Sequence, residues 1–105
     1  MSETQIVDEV DIEEYAKSGR AVPTARRYRI RIDKEQRVTD KPELTGREIL
    51  ALVGKTPEHF ILSQKLRGGQ AKTIGPAEIV NLREPGVERF MTIPRDATEG
   101  ASHAA

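Results

Sequence analysis

Cysteine is absent from these 105 residues, which excludes disulfides, thiolate metal sites and a thiol nucleophile of the chain's own. Any thioester chemistry must borrow a partner's sulfur. Tryptophan is missing too, and two Tyr and two Phe are the whole aromatic complement, so aliphatic side chains must supply most of a small core. No apolar run approaches the roughly 20 residues that cross a bilayer, and Met1-Ser2-Glu3-Thr4 lacks the basic-then-apolar plan of a signal peptide. A cytoplasmic protein without membrane contact is the expectation. His59 and His103 are the only histidines and belong to no recognised motif, and no glycine-rich phosphate loop opens a helix. The chain therefore reads as a non-enzyme with no metal and no cofactor of its own.

What is present is 36% apolar and 32% charged residues, the balance of one soluble globular domain. A net charge of zero conceals an asymmetry. Residues 1–25 carry six acids against two bases, residues 26–95 nine against fifteen, and residues 96–105 two acids. An acidic segment of that kind can dock on the basic body of its own chain or of a neighbouring copy.

Three regions follow from the pattern of apolar residues. Residues 1–25 read as an acidic N-terminal arm, in which Val10 to Ala16 suits two helical turns stopped by Gly19. From Arg27, strict alternation puts Tyr28, Ile30 and Ile32 on one face of a strand and Arg27, Arg29 and Arg31 on the other. Asp33-Lys34-Glu35 suits a tight turn, with Gln36 to Thr39 returning antiparallel. Thr45 and Glu48 have the spacing of a capping box, so a helix of about ten residues is expected, burying Ile49, Leu50, Leu52 and Val53 and ending at Gly54. A strand at His59–Leu66, a turn at Gly68-Gly69 and a short strand at Gln70–Ile74 come next. Ala77 to Leu82 reads as an irregular or helical turn packing Ile79, Val80 and Leu82 inward, and Val87–Pro94 is the last strand. On a regular strand Phe90 and the pair Met91 and Ile93 cannot all point inward without a bulge.

Two hairpins flanking a helix, with the last strand returning beside the first, describe an α+β β-grasp over residues 26–95: a mixed sheet wrapped over one helix. Other α+β domains share parts of this pattern. The runs Tyr28-Arg29-Ile30-Arg31-Ile32-Asp33, Leu44-Thr45-Gly46-Arg47-Glu48-Ile49-Leu50 and Val87-Glu88-Arg89-Phe90-Met91-Thr92-Ile93-Pro94 are more specific. Together with Asp11-Ile12-Glu13-Glu14-Tyr15 and Gly19-Arg20, they resemble the bacterial multiubiquitin family from residue 11 to about 95. The resemblance implies a ubiquitin-like modifier accompanied by an activating-enzyme-like adenylyltransferase, a conjugating-enzyme-like protein, a processing peptidase and target proteins, and linked to antiphage defence. Many members string several domains together; this chain has room for one.

The final strand runs into a polar tail, residues 96–105, which reads as flexible and carries one glycine, Gly100. A carboxyl group that is to be adenylated must thread a narrow active site in extended form, and glycine fits because it lacks Cβ. If Gly100 is the reactive end, a peptidase must cut before Ala101 and remove Ala101-Ser102-His103-Ala104-Ala105. ATP would be consumed by the activating partner, and Arg95, Asp96 and Glu99 would be charged handles for partner recognition. Leu66-Arg67-Gly68-Gly69 has the closing letters of ubiquitin, yet it lies between two expected strands and reads as a hairpin turn. The row Arg27, Arg29, Arg31 suits an acidic protein surface, such as the arm of another copy, better than nucleic acid, because no stacking aromatic lies on its face. Lys17, Lys34, Lys41, Lys55, Lys65 and Lys72 are candidate acceptors for a second modifier. Two rival readings use the same tail differently. A sulfur carrier would turn the adenylate into a thiocarboxylate, and a non-conjugated assembly module would link copies through residues 1–25.

Overall fold

The computed structural model describes residues 7–95. Eight strands and two short helices follow in the order β1 (Val7–Asp11), α1 (Ile12–Lys17), β2 (Ala25–Ile32), β3 (Glu35–Thr39), β4 (Glu43–Thr45), α2 (Gly46–Ala51), β5 (Phe60–Leu66), β6 (Ala71–Ile74), β7 (Ile79–Asn81) and β8 (Val87–Pro94). The main sheet runs β1-β2-β8-β5-β6, with β3 on the far edge of β2. Because β2 and β8 are parallel at the centre and β2–β3 and β5–β6 are antiparallel hairpins, the sheet is mixed and curls over α2 as a ubiquitin-like β-grasp.

The alternation in β2 decides the core. Tyr28, Ile30 and Ile32 are buried with Ile49, Leu50, Leu62, Leu82 and Phe90, whereas the arginines between them face out. Tyr28 stays satisfied inside because its hydroxyl accepts the Ala25 N–H at 3.0 Å. The capping box opens α2 as expected: Thr45 Oγ1 accepts the Glu48 N–H at 3.2 Å and Glu48 Oε1 accepts the Thr45 N–H at 2.8 Å. The helix is six residues long, shorter than expected. After Ala51 the chain turns through residues 52–54 to Gly54 at φ +72°, with Lys55 N–H on the Leu50 carbonyl and Gly54 N–H on the Ala51 carbonyl, both at 3.0 Å.

One expectation, the turn at residues 77–82, is corrected, and the structure adds detail at both ends of the described residues. The first described segment, residues 7–17, lies against the chain's own body: β1 pairs in parallel with β2, and α1 buries Ile12 and Ala16. A short parallel edge strand with its partner some twenty residues away leaves little local signal. Residues 79–81 form a strand, not an irregular or helical turn. It pairs with β4 so that Leu44 sits opposite Val80 and both are buried, while alternation turns Ile79 out to 65% exposure. In β8, Leu66 faces Val87 and Lys65 faces Arg89, so Glu88 is an extra residue. That bulge lets Val87 and Phe90 both point inward, three positions apart, and sends Ile93 to the surface.

Candidate functional site

The strand that carries the chain towards its carboxyl end is held on both edges. β8 pairs with β5 from Phe60↔Pro94 to Leu66↔Val87, and with β2 at Ile32↔Phe90. Arg95, at the end of the described residues, is tied down as well. The Arg95 N–H donates to the His59 carbonyl at 2.8 Å, and Arg95 Nε donates to the Pro57 carbonyl at 2.7 Å. Arg95 is thus held to the 57–59 segment by both its backbone and its side chain. The turn that receives it is built by Thr56, whose carbonyl accepts the His59 and Phe60 N–H groups. Asp96, Glu99, Gly100 and Ala101 lie outside the described residues, as does His103.

A polar staple beside this root fixes the end of β8. Asp33, at φ +57° in the β2–β3 turn, accepts from the Thr92 N–H at 2.8 Å, from Thr92 Oγ1 at 2.6 Å and from Lys55 Nζ at 3.2 Å. Lys55 also lies 4.7 Å over the Phe60 ring. Burial alone would raise the Asp33 carboxyl. The side-chain and backbone hydrogen bonds from Thr92, with the bond and charge of Lys55, outweigh it and hold the group below its usual range. Asp33 read as a turn residue and Lys55 as a surface lysine in the sequence, and nothing local linked them to Thr92.

The arginine row on β2 does meet acids, but they belong to the same chain. Arg27 pairs with Asp8 at 2.9 Å and with Glu9 at 3.6 Å, Arg29 pairs with Glu9, and Arg31 pairs with Glu13 at 3.2 Å. These are the acids of β1 and α1, so the row is engaged within the fold. Leu66-Arg67-Gly68-Gly69 joins β5 to β6, with both glycines at positive φ of +97° and +95°. Among the described residues, no group of three or more His, Asp or Glu is placed to hold a metal ion, and no helix is long and apolar enough to cross a membrane.

A family model described as multiubiquitin matches residues 28–95, from the buried Tyr28 of β2 to the Arg95 anchor. The chain belongs to the multiubiquitin family. The matched region runs from within β2 to the end of β8 and includes the hairpin turn at Gly68-Gly69 and the strand that leads to the tail. β1, α1 and the first three residues of β2 precede the match. No curated protein and no solved structure matches the chain.

Proposed function

We propose that this multiubiquitin domain is a ubiquitin-like protein modifier acting in the bacterial cytoplasm, in defence against phage, and that Gly100 is its reactive end after removal of residues 101–105. The carrying observation is that β8, clamped between β2 and β5, delivers the chain to a fixed point at Arg95. From there the five residues to Gly100 span about 17 Å when extended, enough to enter a partner's active site while the folded body stays outside. The chain is the substrate in this reading. A peptidase exposes the Gly100 carboxylate, which attacks the α-phosphate of ATP on an activating enzyme, forming an acyl-adenylate and releasing pyrophosphate. A conjugating-type partner then passes the acyl group to a target amine or hydroxyl, and AMP leaves.

The test uses the full chain with a processing peptidase and an activating enzyme of the kind the multiubiquitin family implies. Intact mass should fall by the last five residues, and the trimmed protein should support ATP–pyrophosphate exchange. A Gly100→Phe variant should lose exchange while keeping its melting temperature, because a bulky Cβ substituent blocks the approach that glycine permits. An unchanged mass, trimming at another bond, or full exchange by Gly100→Phe would each overturn the assignment.

A further inference from the structure

Six lysines lie among the described residues, and five of them are engaged. Lys17 pairs with Glu13 at 3.3 Å, Lys41 with Glu48 at 3.5 Å, Lys65 with Glu88 at 3.9 Å and Lys72 with Glu78 at 3.0 Å. Lys55 donates to Asp33 and Thr92. Lys34 alone is exposed with no carboxylate, hydroxyl or ring holding its ammonium group. That freedom is not for want of neighbouring acids. Asp33 precedes it and Glu35 follows it, but Asp33 is taken by Thr92 and Lys55, and Glu35 by Arg37. The hairpin tip that carries Lys34 is itself fixed, since the Asp33 N–H donates to the Phe90 carbonyl at 2.8 Å and the Asp33 carboxylate receives Thr92. A free amine on a short, stapled turn is presented at a defined place, which favours productive attack over a wandering side chain.

From this geometry we infer that Lys34 is the acceptor through which one copy of the chain is joined to another. The inference rests on the modifier reading and names its acceptor. The uncharged Lys34 Nζ attacks the Gly100 carbonyl carbon of a second copy held as an adenylate or partner thioester. A C–N bond forms, the C–O or C–S bond to AMP or the partner's thiol breaks, and the amine's surplus proton passes to solvent.

Two measurements test it. Limiting N-hydroxysuccinimide acetate at mildly alkaline pH should acetylate Lys34 about two- to fivefold faster than Lys72, the factor an exposed ion pair is worth. Equal or slower labelling removes the premise. The second recovers conjugates from cells making the full chain with a peptidase and an activating enzyme of the same kind. Trypsin cuts after Arg95, leaving Asp96-Ala97-Thr98-Glu99-Gly100 as a branch on the acceptor. The expected species is that branch on Lys34 within Ile32–Arg37, and Lys34→Arg should abolish self-linked pairs while Lys72→Arg leaves them. Branches on other proteins or other lysines, with none on Lys34, overturn this inference and leave the modifier reading standing. Absence of the branch from every protein overturns both.

Discussion

Asp33 shows how much one residue at a turn can carry. It gathers three donors from two other segments, and its carboxyl lies below the ordinary 3.8 in the folded chain. A folded-state pKa that is depressed contributes stability that is fully present above the unfolded value and is lost as pH falls through the folded one. Asp33→Asn should therefore cost about 1–2 kcal/mol near neutrality, allowing for solvent screening of a part-exposed group. In urea melts the gap to the parent protein should shrink below about pH 4, and a gap constant down to about pH 2 would contradict the assignment. Gly46 makes a different demand. A Cβ there would stand 2.3 Å from the Gly75 carbonyl oxygen, a backbone atom that cannot swing away. Gly46→Ala should lower stability by about 1–3 kcal/mol with the capping box intact, measurable as a drop in the urea midpoint. The need for glycine was invisible in the sequence, because Gly75 approaches from a segment 29 positions away.

At the scale of elements, β1 and α1 are the revealing pair. Their acids meet the arginine row, but the partners Asp8 and Arg27 are 72% and 47% exposed, so that pair contributes little. Burial of Ile12 at the start of α1 contributes far more. Ile12→Ala should destabilise the whole protein by about 2–4 kcal/mol while keeping one cooperative transition, whereas Asp8→Asn should change stability by less than about 0.5 kcal/mol. Equal, negligible effects of both would mean that the segment lies outside the cooperative unit. Capping signals, turn glycines and the alternation of β2 were all legible, because each is a relation between residues a few positions apart. β4 and β7 escaped notice for the opposite reason. Three residues are too few to show a period, and only their mutual pairing makes Leu44 and Val80 core residues.

For the whole molecule the decisive fact is where β8 lies. Among the described residues it is the last strand in sequence and an interior strand in space, so a chain that ends before Val87 leaves β2 and β5 without the strand they share. A chain ending after Arg95 should melt within about 2 °C of the full one, and one ending after Gly69 should show no cooperative unfolding by circular dichroism. Folding by the shorter chain would restore Leu66-Arg67-Gly68-Gly69 as a candidate terminus. By itself the sequence determined the local vocabulary: the cap at Thr45, the stop at Gly54, the face of β2, the glycine turn before β6 and the family to which these belong. Only the tertiary structure decided which acids meet Arg27, Arg29 and Arg31, that Arg95 is an anchor, and that Lys34 is the lysine left free. Those outcomes depend on contacts between segments far apart in the chain, and chain closure, not local preference, brings such groups within reach of one another.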